Sequence, residues 1–441
     1  MKLEMINMRE EDIREKEVQS VHFNIHYNKS KQYEPIVAHL LNIVGDEGMK
    51  KEVRSIVTNT ARMLKSNGMC MKIPRDRNRY TGNSQGLSHS RMMLLRDLLE
   101  ECGMINIYIG GVMSYGMFDA DVTKCSIVET LPPLIDLFSG VNKELVSVKL
   151  LNPVEIKERG TKNRMHTQGV TGVKDIKERV EMFNTALIES RISLKGVQLP
   201  DQSYKRVFIE NLKTGGRWYN SCGGVQTMEK GLRPFLQIDG EDLVELDFSA
   251  IHPNICYEKI GAILPEGFDP YGIGMEDIYV DNEAVNEFKL RHGLVKYNPL
   301  RNLVKMATMI GLNCKSLGQS SKALSQDIGN DRNKIGSKDE HKALYYGLQD
   351  VVTKDILEKV QEHNHLISQY FFSDAGVELQ FIDSEILDDI ICDTLAIGEV
   401  LLPWHDGVMV KKAIAEQVKD FMYKAWYKQF KSIKFCKVDY K

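Results

Sequence analysis

The hydrophobic and polar positions in the first quarter of the chain follow a helical period. Apolar residues recur at helical spacing over 33–44 and again over 50–64. Ser88 is a suitable N-cap for a third helix, RMMLLRDLLEE, which ends at Gly103, and INIYIGG follows as a short alternating strand. The order of two helices, a polar loop, a helix, a strand and a glycine turn is typical of a winged helix-turn-helix.

Short apolar runs in the second half predict strands that end beside aspartates. The run 243–246 leads into Asp247, after which the chain turns into a segment with a proline. The runs 400–402 and 408–410 flank His405-Asp406-Gly407, which predicts a hairpin with an aspartate at its tip. Between these strands, the polar and Gly/Ser-rich segment 315–341 is predicted to be an exposed loop or small insertion.

Composition limits the class of protein. A chain of 441 residues allows two or three domains, and 42% hydrophobic with 27% charged residues excludes collagen-like, coiled-coil and wholly disordered chains. No apolar run approaches the roughly 20 residues of a membrane helix, and the charged N-terminus is not a secretory signal. Eight cysteines without a C-x-x-C pair indicate reduced thiols. We expect a cytoplasmic protein, of a bacterial host or a virus-infected cell, with no membrane partner.

The net charge of −3 is the sum of two opposed segments. Residues 50–96 contain eleven basic and only two acidic side chains, among them Arg75, Arg77 and Arg79 in the polar loop. Such a segment is sufficient to bind a phosphate backbone, and a solvated helical face with a basic loop is the alternative. Residues 378–406 contain eight acidic side chains and no lysine or arginine.

Asp247 and Asp406 are the candidate catalytic residues. Two aspartates on neighbouring strand ends can hold two divalent cations about 4 Å apart, an arrangement that stabilises both oxygens in a phosphoryl displacement. Hard oxygen ligands suit Mg²⁺. For either aspartate alone, a place in an ordinary turn is the alternative.

A cationic stripe is predicted between the two aspartates. Arg301, Lys305, Met309 and Asn313 recur every four residues, so a helix would align them on one face. Lysine and arginine there would neutralise the phosphates of a nucleoside triphosphate. An amphipathic surface helix is the alternative.

Five short motifs in order resemble the core of family A DNA polymerases and the related single-subunit, phage-type RNA polymerases. The segments are TGGRWYN with the later Gln226, DFSAIHP from Asp247, RNLVK from Arg301, QFIDSEI from Gln380, and HD at 405–406. They are similar to the family's T-G-R segment and its following glutamine, to motif A (D-Y-S-x-x-E), to motif B (R-x3-K), to Q-x4-D-I and to motif C (H-D). The resemblance covers roughly 205–441 and suggests a divergent member encoded by a phage or mobile element.

The resemblance implies an α+β fold with a right-hand polymerase palm and fingers, in which helices accompany an antiparallel palm sheet. The palm and fingers would follow an α-rich, winged-helix-like N-terminal region in the chain. The expected divisions are an arm and helix (1–44), the winged-helix-like DNA-binding region (45–120), a helical, thumb-like connector (121–204), and palm and fingers (205–441).

Site roles are carried over residue by residue. Asp247 and Asp406 would hold two Mg²⁺ ions, for which Mn²⁺ is a substitute, with the Phe248 carbonyl as a further ligand. Arg301 and Lys305 would grip the triphosphate. The nucleotide site would also include His252, Met309 and Asn313. The primer–template would meet Arg217, Gln226, Gln380 and His405.

Five positions depart from the family pattern. His252 replaces the motif A glutamate, Met309 an aromatic residue, Asn313-Cys314 a Tyr-Gly pair, and Gly407 a glutamate. DFSAIHP also resembles the D-F-x-S-L-Y-P of family B polymerases, whose tyrosine blocks a 2′-hydroxyl, whereas single-subunit RNA polymerases have glycine there. A bulky His252 therefore favours dNTPs, although a hydrogen bond from His252 to a ribose hydroxyl would favour rNTPs.

The resulting hypothesis is a DNA-directed DNA polymerase, without proofreading, that acts in phage or plasmid replication. Its partners would be a DNA primer–template and nucleoside triphosphates, and its oligomeric state is left open. One alternative is a single-subunit RNA polymerase or primase. Another is a catalytically inactive, DNA-binding replication initiator. Template-independent tailing is a third outcome, because the fingers residues that meet a template pair are altered.

Overall fold

The fold combines mainly antiparallel sheets with helices, which confirms the predicted α+β class. The computed structural model describes residues 21–22, 30–65, 68–75, 77, 80, 86–109, 125–141, 153–161, 163–199, 202–220, 225–228, 231–273, 290, 299–333, 352–404 and 406–441. Arg79 and His405 lie outside the described residues, so their roles stay predictions.

Helices and one strand predicted in the first quarter of the chain are confirmed. The helices are α1 (Glu34–Val44), α2 (Lys50–Lys65) and α3 (His89–Glu101), and the strand is Ile105–Ile109. Ser88 is the N-cap of α3, since its hydroxyl accepts the Arg91 N–H at 3.5 Å. These elements share one hydrophobic core with a short helix, α4 (Pro132–Asp136).

A four-stranded sheet packs into that core. Its strands are β1 (Val21–His22), β2 (Cys70–Pro74), β3 (Ile105–Ile109) and β4 (Cys125–Thr130), in the order β1-β2-β4-β3. Only β1 and β2 run parallel. The sequence pattern did not predict β2 or β4, and the core reaches Phe138, beyond the expected boundary at residue 120. The winged-helix arrangement is therefore not confirmed.

A second four-stranded sheet follows, in the order β10-β9-β5-β6. Its strands are β5 (Val154–Lys157), β6 (Arg164–Met165), β9 (Tyr204–Ile209) and β10 (Asn211–Asn220). Helix α5 (Val173–Glu189) contributes Val180, Phe183 and Leu187 to the largest core. The segment 121–204, expected to be a helical connector, thus contains strands as well as helices.

The third sheet is antiparallel throughout and carries both candidate catalytic aspartates. It has the order β13-β14-β12-β11-β7-β8, and β15 pairs with β12. The strands are β7 (Ile192–Leu194), β8 (Val197–Gln198), β11 (Leu236–Ile238), β12 (Glu241–Phe248), β13 (Leu402–Trp404), β14 (Gly407–Lys411) and β15 (Val438–Tyr440). Pairing of Trp404 with Gly407 confirms the predicted hairpin.

Helices share the largest hydrophobic core with this sheet. They are α6 (Ile251–Lys259), α7 (Pro299–Asn313), α8 (Leu317–Asn333), α9 (Thr353–His363), α10 (Gly376–Ala396) and α11 (Ala415–Phe430). The prediction of a loop over 315–341 was wrong for the part that forms α8, because Ser320, Leu324 and Ile328 recur every four residues and are buried. In the described part of the chain, no helix is long and apolar enough to cross a membrane.

Candidate active site

Strands β12 and β14 bring Asp247 and Asp406 to one edge of the third sheet. Asp247 is paired with Gly407 across the two strands. The Phe248 N–H donates to the Asp406 carbonyl at 3.1 Å. Two carboxylates that lie far apart in sequence thereby meet at the same place, as the strand-end pattern had indicated.

Gly407 leaves no room for a side chain. A Cβ at this position would lie 2.5 Å from the Leu246 carbonyl oxygen and 3.0 Å from Asp247 Oδ1. Both distances are tighter than ordinary van der Waals contact, and the first is to backbone. A side chain at this position would force β12 and β14 apart and displace the Asp247 carboxylate.

The Asp247 carboxylate lies in an unfavourable environment for a negative charge. Asp247 is only 6% exposed. Burial, followed by the charge of Asp406, raises the pKa of Asp247 to about 6, even though Lys441 and Lys305 act in the opposite direction. The Lys441 ammonium, just beyond β15, donates to Asp247 Oδ2. The site therefore favours a cation.

The donor set fits a hard divalent cation. No group of three or more His, Cys, Asp or Glu side chains assembles as a metal site within the described residues. Two aspartates with few further protein ligands nevertheless suit Mg²⁺, which keeps several waters, and Mn²⁺ prefers similar oxygen donors. The Lys441 ammonium lies beside Asp247, where a bound cation would also place its positive charge. The Phe248 carbonyl stays a predicted ligand.

A cleft of about 130 Å³ opens beside Asp406. Its walls come from five separate parts of the chain, which are β10, the start of α6, the segment after α6, α7, and the turn between β13 and β14. The lining residues are Arg217, Ala250, Ile251, His252, Tyr271, Lys305, Met309 and Asp406. Five of the predicted site residues thus share one cleft.

Arg217 and His252 are held by a carboxylate that the sequence analysis missed, Asp383 of α10. Arg217 Nη2 donates to Asp383 Oδ2 at 2.5 Å, and His252 Nε2 lies 2.8 Å from the same oxygen. Asp383 is 3% exposed. One feature of the sequence could have indicated Asp383. It lies one helical turn after Gln380, in a segment without lysine or arginine.

Two glycines bring Arg217 to this carboxylate. Gly215 and Gly216 have φ of 73° and 78°, and the register of β10 against β9 shifts on both sides of Gly215. A Cβ on Gly216 would lie 2.8 Å from Ser384 Oγ. Glycine is required because only a bare backbone at this bulge can approach α10 so closely.

Other predicted site residues lie outside the cleft lining. Arg301 donates to Asp269 at 3.1 Å and stacks over Tyr271. Asn313 lies against the backbone of Gly376, where its Oδ1 occupies the space of a Cβ. The helix that was predicted to align these residues is confirmed, but the cleft receives only Lys305 and Met309 from it.

The predicted glutamines differ in position. Gln226 is buried, accepts the Asn220 N–H at 2.8 Å and donates to the Trp218 carbonyl at 2.9 Å. Both ends of its amide brace the backbone that follows Arg217, rather than reaching outward to a ligand. Gln380 lies in the first turns of α10 and is partly exposed.

The basic N-terminal segment carries less surface charge than its composition suggests. Arg62 and Lys72 are buried. Arg54 pairs with Glu34 at 2.6 Å. Arg77 is exposed, and the Arg75 carbonyl accepts a hydrogen bond from His89. A nucleic-acid contact by Arg75 and Arg77 stays a prediction.

Comparison with known proteins gives structural likenesses but no match to a family. No family model matches the chain, and no curated protein matches it. The chain is similar to the POL domain of Pol1 from M. smegmatis, solved in complex with DNA primer-template and dNTP, with 13% sequence identity and a TM-score of 0.31. The match covers 68% of this chain and 60% of that structure, so this chain spans less than two thirds of its length.

Proposed function

We propose that this protein is a nucleotidyltransferase that adds nucleotides to a 3′-hydroxyl, and that it acts as a DNA-directed DNA polymerase. The observation that carries the proposal is the meeting of Asp247 and Asp406 on paired strands, next to a cleft that contains Lys305. The order of the sequence motifs, which includes the same three residues, supports the proposal. The setting in phage or plasmid replication rests on the resemblance alone.

Predicted site residues in and beside the cleft have separate roles in this proposal. Asp247 and Asp406 would hold Mg²⁺, which on binding would activate the attacking hydroxyl and stabilise the leaving pyrophosphate. Lys305, which is exposed at the cleft, would neutralise the triphosphate. Arg217 would lie near the primer terminus. Arg301 would reach the phosphates only after its ion pair with Asp269 breaks. That ion pair lies at the surface and is weak.

His252 would determine whether the site accepts dNTPs or rNTPs. Its ring is 1% exposed, borders the cleft and is held in place by Asp383. A fixed ring beside the sugar would exclude a 2′-hydroxyl and favour dNTPs. One observation favours the RNA polymerase or primase alternative: His252 Nδ1 is buried and has no hydrogen-bond partner among the described residues, so a ribose hydroxyl would satisfy it.

Primer extension tests the proposal. The full chain is incubated with Mg²⁺, a primed DNA template and either dNTPs or rNTPs, with and without the primer. We expect extension with dNTPs that depends on the primer. Asp247→Asn and Asp406→Asn should each lower the rate by roughly a thousandfold or more, because each removes a ligand charge needed in the transition state.

Asp242→Asn is the matched control, since Asp242 is exposed on the same strand, β12, and pairs with Lys412 at the surface. It should keep the wild-type rate. Full activity in Asp406→Asn, or DNA binding by the wild type without any nucleotide addition, would contradict the proposal. The second result would instead support a catalytically inactive replication initiator.

A further inference from the structure

Asp383 is a buried carboxylate shared by two residues of the cleft. It lies in the second turn of α10 and is 3% exposed. Arg217 approaches it with two nitrogens, Nη2 at 2.5 Å and Nε at 3.2 Å from Oδ2. His252 Nε2 lies 2.8 Å from the same oxygen and 3.1 Å from Arg217 Nη2. One oxygen atom therefore fixes both side chains.

The burial of Asp383 makes this arrangement rigid. A carboxylate removed from water is costly unless a cation and hydrogen-bond donors compensate it. Burial acts to lower the pKa of Arg217, but the charge and hydrogen bond of Asp383 outweigh this effect and raise it. The guanidinium thus stays charged, and neither partner can leave without exposing the other to an uncompensated buried charge.

The same contact fixes the proton of the imidazole. A carboxylate only accepts hydrogen bonds, so His252 Nε2 must carry the proton that it donates. In the neutral ring, Nδ1 is then an acceptor. Nδ1 is buried, and no partner satisfies it within the described part of the chain. The ring therefore has one orientation and one tautomer at the wall of the cleft.

We propose that Asp383 is a positioning residue that sets the sugar selectivity of the nucleotide site by holding His252 in place. The inference rests on the proposed function, because it names the determinant of substrate choice in the same cleft. Asp383 touches neither sugar nor phosphate in this scheme. Without it, the His252 ring is free to turn away, and the space for a 2′-hydroxyl opens.

The test measures kcat/KM for dNTP and rNTP incorporation by the full chain, in the wild type and in Asp383→Ala, His252→Ala and the double variant. We expect the dNTP preference to fall at least about tenfold in each single variant. The double variant should show no further fall, because Asp383 acts through His252 and the two effects are not independent.

Asp383→Asn is a second variant of the same size, in case the alanine variant does not fold. Its amide oxygen can take the place of Oδ2 and accept from both partners, but it lacks the negative charge, so a smaller loss of preference is expected. Asp393→Asn on the same helix is the control, since Asp393 pairs with Lys424 at the surface, and its selectivity should equal that of the wild type.

The outcomes separate the two proposals. If the wild type extends primers with dNTPs but the sugar preference is unchanged in Asp383→Ala and Asp383→Asn, the positioning role is wrong and the proposed function stands. An equal loss of dNTP and rNTP incorporation also overturns it, because that indicates a purely structural role. If the wild type incorporates neither nucleotide, the proposed function itself fails and the inference falls with it.

Discussion

The buried aspartates near the cleft, Asp247 and Asp383, obtain their compensating cations from distant parts of the chain. Asp383 pairs with Arg217, which is 166 positions away, and Asp247 pairs with Lys441, which is 194 positions away. The sequence predicted Asp247 because it ends an apolar run. It did not predict Asp383, since a carboxylate on a helix carries no local sign of its partner or its burial.

The raised pKa of Asp247 gives the metal-free protein a pH-dependent stability. Because the fold favours the protonated acid, its stabilising contribution is present below about pH 4 and is lost as the pH rises through about 6. Asp247→Asn removes the charge. In a chelator at pH 8, we expect this variant to be more stable than the wild type by about 1–2 kcal/mol. Denaturation by urea at pH 5 and pH 8 measures the difference.

The gain should shrink at pH 5, where the wild-type carboxyl is largely protonated. Asp242→Asn is the control, because Asp242 is exposed on the same strand and should gain nothing. A variant no more stable than the wild type at pH 8 would show that the Lys441 contact fully compensates the buried charge.

Helix α10 shows how an acidic segment is neutralised in three dimensions. The sequence places eight acidic residues in 378–406 with no lysine or arginine between them. Cations from other elements pair with most of them. The pairs are Glu378–Lys259, Asp383–Arg217, Glu385–Arg206, Asp388–Arg179, Asp389–Lys428, Asp393–Lys424 and Glu399–Lys411. The charge of the segment therefore holds α10 against its neighbours, in addition to supplying Asp406.

Arg206 is the most buried of these cations. It is 0% exposed, donates to the Gly216 carbonyl at 2.8 Å and reaches Glu385 at 2.7 Å, so it joins β9 to β10 and α10. Arg206→Met should lower the free energy of unfolding by about 3–5 kcal/mol, because it leaves these acceptors without their buried donor. Urea denaturation of the variant and the wild type measures this loss.

Arg179→Met is the matched comparison, since Arg179 pairs with Asp388 on the same helix but its side chain is 37% exposed. Its loss should stay below about 1 kcal/mol. Equal losses in the two variants would mean that burial does not determine the contribution of these pairs.

The elements differ in how much of them could be predicted from the sequence. Helices α1 to α3 have a clear apolar period, and the hairpin of β13 and β14 has its turn residues, so both were predicted. Helix α8 was not, because most of its residues are polar and only a narrow row, which includes Leu324 and Ile328, is buried. Strands β2 and β4 are far apart in the sequence, so no local pattern predicts that they pair.

At the scale of the whole molecule, the net charge of −3 hides a division of charge along the chain. Basic residues concentrate in the part that forms the first hydrophobic core, whereas the third sheet and α10 carry the carboxylates. We propose that the N-terminal part binds duplex DNA through exposed cations such as Lys50 and Arg77. Ions held by the aspartates would restore attraction for phosphates at the cleft.

Binding of labelled duplex DNA across a salt series tests this division. Replacing Lys50 and Arg77 by glutamate should weaken binding roughly tenfold at low salt and reduce the slope of log K against log salt by about 2. Fluorescence anisotropy gives both values. The control replaces Lys174 and Lys177, which are exposed on α5 outside the basic segment. An equal effect of both pairs would indicate only a general charge effect.

The pairing of β12 with β14 also has a consequence for the order of folding. These strands enclose a loop of roughly 160 residues, so their contact carries a large loop-closure entropy and forms after local helices such as α10. Asp247 and Asp406 meet only when this closure is complete. A chain that is still folding, or still being synthesised, therefore lacks the paired carboxylates that would hold metal ions in the proposed function.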